Sequence, residues 1–139
     1  NQNRYSIFDR TIESNGLKDT AARLHKGIIT FSPLAQGLLT DRYLHGIPAD
    51  SRVHTDGRFL KETDLTPEML AKIRALNDMA AARGQTLAEM ALAWLLSHKE
   101  ITTVLIGASK TQQILDNIKA VQNTSFTAEE LAEIDKISK

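Results

Sequence analysis

A glycine turn between a strand-like run and a helix-like run is the part of the sequence best suited to binding an anion. Residues 102–106 read Thr-Thr-Val-Leu-Ile, a short β-branched run that predicts a buried strand. Gly107 interrupts this run, and Ser109 with Gln112 three residues later predicts the capped start of a helix. Backbone N–H groups and the helix dipole at such a start attract phosphate. A plain strand-to-helix connection has the same pattern, so both interpretations stay open.

The other chemistry-bearing residues form no recognisable catalytic or metal-binding pattern. The four histidines lack the i, i+4 spacing of a metal site, so we expect them at the surface or in loops and expect no metal. Without cysteine the chain has no thiol nucleophile, thiolate ligand or disulfide, which fits a reducing cytoplasm. Trp94 lies in an apolar run and is predicted to be a core residue.

Composition predicts a globular domain with no attraction to polyanions. The 139 residues are 42% hydrophobic, and 17 basic residues balance 17 acidic ones. We therefore expect no nucleic-acid partner and no association with anionic membranes. No apolar stretch reaches the roughly 18 residues of a membrane span. The chain starts without Met, so we expect it to begin inside a longer protein.

The predicted elements alternate between strands and helices. Capping patterns at Thr66-Pro67, Thr86 and Thr127 each predict the start of a helix. A long connection from about residue 34 to 64 is typical of a functional or disordered loop. The predicted strands are 5–8, 27–32 and 102–106, and the other predicted helices begin near residue 17 and span 110–122.

This order predicts an α/β fold with parallel strands and helical crossovers. Three strands alone leave two open sheet edges and little cover, so we expect a piece of a larger α/β architecture.

Three stretches together resemble one enzyme family. They are Phe31–Thr40 (FSPLAQGLLT), Gly84–Trp94 (GQTLAEMALAW), and Gly107-Ala108-Ser109 followed by Gln113, Asp116 and Asn117. In this order they resemble the C-terminal half of the aldo-keto reductases. The branch containing the L-glyceraldehyde 3-phosphate reductases and the potassium-channel β-subunits is the most similar, and Ile47-Pro48 and Ser51-Arg52 also resemble it.

The resemblance implies that residues 1–139 are a single partial domain, the C-terminal portion of a (β/α)8 TIM barrel. Strands six, seven and eight would lie near residues 2–7, 27–32 and 102–106. Active sites of such barrels lie at the carboxyl ends of the strands, and a phosphate site often follows strands seven and eight.

The resemblance also implies an NADP(H) site. Gln2 would bind the nicotinamide carboxamide, and Phe31 would stack on the nicotinamide. Residues Ser32, Pro33, Leu34, Ala35, Gln36 and Gly37 would enclose the diphosphate, with Arg42 and Arg52 as phosphate partners. The adenosine would lie against Gly107, Ser109, Gln113, Asp116 and Asn117. Many members place Lys in this last segment for the 2′-phosphate. Here only Lys110 is close, so a preference for NADPH follows from the branch alone.

The implied function is the cofactor-binding half of an NADPH-dependent reductase that reduces an aldehyde or ketone, including a small or phosphorylated sugar aldehyde. The family's catalytic Asp, Tyr, Lys and His lie in the first half of the barrel, and neither Tyr5 nor Tyr43 matches them. We therefore expect no catalytic residue here and an inactive chain in isolation. Its partner would be the N-terminal half of the barrel or a second copy, as a homo-oligomer.

Two alternatives remain from the sequence. One is a nucleotide-sensing subunit of the channel β-subunit type, with little turnover. The other is a different barrel enzyme that uses the glycine turn to hold a sugar phosphate.

Overall fold

Three short parallel strands form the centre of the fold. The computed structural model describes residues 1–51, 53, 57, 58 and 60–139. Strands β1 (Gln2–Arg4), β2 (Ile28–Phe31) and β3 (Ile101–Val104) lie side by side in chain order. The predicted parallel sheet with helical crossovers is therefore confirmed.

Six α-helices have both of their ends within the described residues. They are α1 (Thr11–Ser14), α2 (Leu17–Arg23), α3 (Pro67–Ala82), α4 (Leu87–Leu96), α5 (Thr111–Asn117) and α6 (Ala128–Ser138). Short 3-10 helices occupy Ala35–Gly37, Asp41–Tyr43, Glu62–Asp64 and Ile118–Gln122.

The three predicted threonine caps are confirmed. The hydroxyls of Thr66, Thr86 and Thr127 each accept a hydrogen bond from the backbone N–H three residues later. Glu130 also returns its carboxylate to the N–H of Thr127, which completes the capping box. These bonds satisfy N–H groups that a helix start leaves without a partner.

The two faces of the sheet have different surroundings. Side chains alternate along a strand, so Ile28, Thr30 and Ile101 point one way and are buried. We call this the covered face. A register shift between Ile28 and Ile29 interrupts the alternation on β3 and brings Thr103 beside Ile29 on the other face, where the side chains are partly buried or exposed. We call this the open face, and it is free to line a site.

The core lies between the covered face and the helices. Helix α4 is apolar almost all round, and seven of its residues are buried because neighbours enclose it. Trp94, predicted to be a core residue, is 1% exposed. The long connection also contributes to this core through Leu38, Leu39, Tyr43 and Leu60.

The sequence pattern predicted the first strand at residues 5–8, which is wrong, whereas the resemblance placed it near residues 2–7. It spans residues 2–4, and residues 5–8 turn away from the sheet. Ser6 and Asp9 exchange backbone hydrogen bonds of 3.1 and 3.2 Å, which closes a tight turn. Tyr5 and Ile7 are buried through this turn rather than through strand pairing, so their apolar alternation mimics a strand.

The third strand was predicted to be buried, and this was wrong as well. It begins one residue earlier and ends at Val104, and the last two residues of the predicted range, Leu105 and Ile106, follow the strand and are 44% and 37% exposed. Because β3 is an edge strand in the described chain, no strand covers its outer side. The predicted open edges are thus present at β1 and β3.

Candidate functional site

The open face brings together two predicted cofactor residues. In the register of β1 and β2, Gln2 lies beside Ile29 and Arg4 lies beside Phe31. Because paired residues in a sheet point to the same side, Gln2 and Phe31 share the open face. Phe31 ends its strand, and the guanidinium carbon of Arg4 lies 5.8 Å from the centre of its ring. An exposed amide at the start of β1 and a partly exposed aromatic ring at the end of β2 therefore share the open face.

The loop that follows Phe31 has an unusual backbone. Ser32, Ala35 and Gln36 have φ angles of 53°, 48° and 61°, and Gly37 has 95°. Left-handed backbone costs a residue with a side chain roughly 1–2 kcal/mol. Strain of this kind concentrates at ligand sites and switch regions. The strain does not identify a ligand, but it gives the predicted diphosphate loop a shape that a relaxed turn lacks.

Hydrogen bonds hold this loop in its shape. The N–H groups of Ala35 and Gly37 donate to the carbonyls of Ser32 and Leu34 at 3.1 and 3.0 Å. Thr40 Oγ1 donates to the carbonyl of Gly37 at 2.6 Å. The predicted residues 32–37, Pro33 included, thus form one compact turn that is fastened at both ends.

Arg42 is held by a carboxylate instead of standing free. Its Nη2 donates to the backbone oxygen of Asp50 at 2.9 Å and to Asp50 Oδ1 at 3.0 Å. Its Nε is buried and makes no hydrogen bond within the described chain. Any role on a phosphate requires Arg42 to leave Asp50. The other predicted phosphate partner, Arg52, lies outside the described residues.

The glycine turn after β3 has a different cap from the predicted one. Lys110, not Ser109, precedes the first helical residue, and Gln113 supplies the side chain rather than Gln112. Gln113 Oε1 accepts from the N–H groups of Ser109 and Lys110 at 2.8 and 3.2 Å. The Gln113 side chain reaches back from the first turn of the helix to both N–H groups. The N–H groups of Ser109 and Lys110 therefore already have a hydrogen-bond acceptor.

The helix after this turn also ends sooner than predicted. Helix α5 stops at Asn117, and the chain continues as a 3-10 helix to Gln122. Asp116 Oδ1 accepts from Gln112 and from Lys119 at 2.9 and 3.0 Å. The hydrogen bond from Lys119 lowers the pKa of Asp116 and keeps it ionised. Asn117 beside it is only 9% exposed.

Parallel topology places both predicted segments at one end of the sheet. Residues 32–37 follow the carboxyl end of β2, and residues 107–117 follow β3. In α/β folds this is the end where ligands bind. Phe31 and the two segments therefore lie at the carboxyl ends of neighbouring strands, and Gln2 lies on β1 beside Ile29, two residues before Phe31.

A buried polar cluster on the covered side was not predicted. Tyr5 donates to Glu13 Oε1 at 2.5 Å, and Arg10 lies 3.2 Å from the same oxygen. Burial and the bond to Glu13 raise the pKa of Tyr5. Burial acts to raise the pKa of Glu13, but Tyr5, Arg10 and Lys18 outweigh it and lower that pKa. The sequence signals this cluster only weakly, since its members come from separate elements.

His98 closes this cluster. Its Nδ1 lies 2.7 Å from the carbonyl oxygen of Trp94, and its ring meets the Trp94 ring edge-on at 4.4 Å. Burial, reinforced by the charge of Lys18, lowers the pKa of His98. His98 lies in the connection between α4 and β3, as expected for a histidine in a loop, and its ring packs against Tyr5 and Trp94. The described residues hold no group of three metal-ligating side chains.

Comparison with known proteins gives a consistent result. The profile described as the Aldo/keto reductase family matches residues 1–139. The chain is 47% identical over 140 residues to the L-glyceraldehyde 3-phosphate reductase of Escherichia coli K12, and the match covers 97% of this chain. It is 34% identical over 138 residues to a probable voltage-gated potassium channel subunit beta of Oryza sativa subsp. japonica, over 98% of this chain.

Solved structures agree on the fold. The chain matches the holo form of the aldo-keto reductase AKR11C1 from Bacillus halodurans with a TM-score of 0.72 and 29% identity. That match covers 99% of this chain and 42% of the other. The three parallel strands thus correspond to part of an aldo-keto reductase barrel. The chain spans about 40% of the length of the curated relatives described above. In the described part of the chain, no helix is long and apolar enough to cross a membrane.

Proposed function

Because the chain belongs to the aldo/keto reductase family, we propose that it is the C-terminal, cofactor-holding part of an NADPH-dependent reductase. The complete protein would convert an aldehyde or ketone to an alcohol. Family membership removes the alternative of an unrelated barrel enzyme that binds a sugar phosphate. The numbering of the strands as six to eight remains part of this proposal.

The observation that carries the proposal is the shared position of Gln2 and Phe31 on the open face. An amide can exchange hydrogen bonds with the carboxamide of nicotinamide, and an aromatic ring can stack on its face. The strained loop of residues 32–37 follows immediately and offers a shaped turn for the diphosphate. The reduced nicotinamide of NADPH would supply the hydride when bound, and the residues of this chain would bind and orient it.

Two features limit what the chain contributes to the chemistry. Reduction of a carbonyl needs a proton donor for the developing alkoxide. Tyr5 does not suit this role, because its hydroxyl donates to Glu13 and its raised pKa opposes ionisation. We assign the proton donor to the part of the barrel that precedes these residues, in line with the resemblance.

The exposed apolar surface supports a partner that completes the barrel. Beyond β3, exposed apolar side chains continue along α5 and the following 3-10 helix: Leu105, Ile106, Ile114, Leu115, Ile118 and Val121. A concentration of exposed apolar residues in one part of a chain is typical of an interface. Another strand and helix would cover it and pair with the open edge of β3. We propose that the preceding part of the same barrel does so, with a second copy as the competing occupant.

The test uses a joined reductase, in which these 139 residues follow the N-terminal part of the E. coli relative. We expect saturable NADPH binding, followed by fluorescence quenching, and NADPH oxidation with glyceraldehyde at 340 nm. Replacing Gln2 by Leu removes an amide contact and should weaken NADPH binding about tenfold, for about 1.4 kcal/mol. Gln122→Leu makes the same change at an exposed position outside the site and serves as the control.

Equal effects of the two substitutions would contradict the assignment of Gln2. A joined reductase that binds no dinucleotide would contradict the proposal as a whole. Similarity to a channel β-subunit favours one second candidate, a cofactor-sensing subunit. Tight NADPH binding with negligible turnover on any aldehyde would support that candidate instead.

A further inference from the structure

Arg4 lies next to the proposed nicotinamide site. It is two residues beyond Gln2 on β1, so alternation places both side chains on the open face. In the sheet register it stands directly beside Phe31, and its guanidinium carbon lies 5.8 Å from the ring centre. Contact with the ring restrains the long side chain near the carboxyl ends of the strands.

Arg4 differs from three other arginines of the chain in having no carboxylate partner among the described residues. Arg10, Arg42 and Arg83 each lie within 3.2 Å of a carboxylate oxygen. Arg4 is exposed and has no carboxylate oxygen within 4.0 Å among the described residues. It is therefore available to an anion from outside.

A cleft surrounds this free cation. It has a volume of about 260 Å³ and is lined by Asn3, Arg4, Asp9, Thr11, Ile12 and Phe31. Asp9 is the acidic group in its wall, and Asp9 Oδ1 already accepts from the N–H and hydroxyl of Thr11 at 3.2 and 2.8 Å. Those bonds hold the carboxylate at the start of α1. The cleft is smaller than a typical whole-ligand pocket and suits one end of a ligand.

We propose that Arg4 binds the anionic group of an aldehyde substrate, either phosphate or carboxylate, and makes the complete reductase selective for anionic aldehydes. The inference rests on the proposed function. A guanidinium matches phosphate or carboxylate with two parallel hydrogen bonds, which gives orientation as well as affinity. The cofactor diphosphate is a less suitable ligand, because its proposed loop lies beyond Phe31 while Arg4 stands beside the nicotinamide residues.

The position also fits the reaction geometry. Gln2 and Phe31 would hold the ring that delivers the hydride, so the reacting carbonyl must come close to them. An anion held two residues along the same strand from Gln2 would fix the far end of a short aldehyde. Holding both ends of the substrate raises the fraction bound in a reactive orientation.

The experiment compares substrates in the joined reductase. Three probes are used: neutral glyceraldehyde, glyceraldehyde 3-phosphate and the carboxylate succinic semialdehyde. The readout is the ratio of kcat/KM for each anionic aldehyde to that for glyceraldehyde. We expect Arg4→Gln to lower the phosphate ratio about 30-fold, as for one bidentate charged contact, and Arg4→Lys to lower it less. Arg23→Gln, at an exposed arginine on α2, should leave both ratios in place.

The outcomes distinguish a contact between Arg4 and the substrate anion from a contact between Arg4 and the cofactor. A fall in either ratio supports the proposal, and the probe affected tells whether phosphate or carboxylate is preferred. Ratios within twofold of the parent overturn it. A higher Kd for NADPH in Arg4→Gln with unchanged ratios also overturns it, because Arg4 would then contact the cofactor. A joined reductase without NADPH-dependent turnover on any probe refutes the proposed function, and this inference falls with it.

Discussion

Removing Arg42 tests whether the loop after β2 binds phosphate. The structure ties its guanidinium to Asp50, with one bond to the carboxylate and one to the backbone oxygen. A diphosphate in the loop would compete with this carboxylate for the same cation. When NADPH binds, Arg42 would exchange the Asp50 carboxylate for the diphosphate. The net binding free energy is therefore smaller than the free energy of the Arg42–phosphate contact alone.

The size of the effect can be worked from the contacts. A hydrogen bond to a charged group contributes about 1.5–3 kcal/mol. The pair with Asp50 is one-third exposed on the arginine and 75% exposed on the aspartate, so releasing it costs about 0.5 kcal/mol. The difference is about 2 kcal/mol, and Arg42→Ala should weaken NADPH binding about 30-fold at 1.4 kcal/mol per tenfold.

Asp50→Asn is the matched variant, because it removes the competing charge and keeps Arg42. It should tighten NADPH binding about twofold, the equivalent of the 0.5 kcal/mol release cost. In the Arg42→Ala background the same substitution should have no effect. Fluorescence titration of the joined reductase and its three variants gives the full cycle.

Two results would refute this reasoning. Arg42→Ala that binds NADPH within threefold of the parent would show that Arg42 does not contact phosphate. An effect of Asp50→Asn that persists without Arg42 would show that Asp50 acts through another group.

The remaining predictions concern stability, each followed by urea unfolding of the joined reductase. Burial lowers the pKa of His98 in the folded chain, so below the ordinary histidine pKa near 6.5 the unfolded chain binds a proton that the folded chain does not. The free energy of unfolding should therefore fall as the pH is lowered from 7 to 5, by at most about 1.4 kcal/mol per pH unit. His98→Gln should reduce that slope, whereas exposed His25→Gln should keep it. Arg83→Met should cost about 3 kcal/mol, because Arg83 is 6% exposed and its partner carboxylate lies at 2.5 Å; a cost under 1 kcal/mol would contradict this. Gly27→Ala should cost about 1–3 kcal/mol, since a Cβ there would clash with Thr102 Oγ1, and Thr102→Ala should recover part of the loss.

Helix starts were the most predictable part of the fold. A threonine cap acts through bonds to residues three positions away, so all the necessary information is local. The predictions at Thr66, Thr86 and Thr127 succeeded for this reason. The first strand failed because burial of Tyr5 and Ile7 depends on a turn and on packing against distant helices, which alternation alone does not reveal.

The candidate site was predictable in its position but not in its contacts. Residues 32–37 and 107–117 follow predicted strands, so topology places them at one end of the sheet. The pairing of Arg42 with Asp50 depends on how a connection of no regular pattern folds back on itself. The choice of Gln113 over Gln112 depends on which of two adjacent glutamines reaches back over the helix start.

The failures at β3 and α5 share one cause. Residues 102–106 have the composition of a strand buried on both faces, yet Leu105 and Ile106 are exposed. The exposed apolar residues of α5 and its continuation lie close by in sequence, whereas Leu24 and Leu131 are separate exposed leucines elsewhere. A sequence pattern records the neighbours that a segment has in the complete fold. We therefore infer that the mismatch between composition and burial marks where the next strand and helix of the barrel belong. The backbone amides of β3 should exchange hydrogen more slowly in the joined reductase than in the 139-residue chain alone, because the partner covers this edge. Equal exchange rates in the two proteins would place the partner elsewhere.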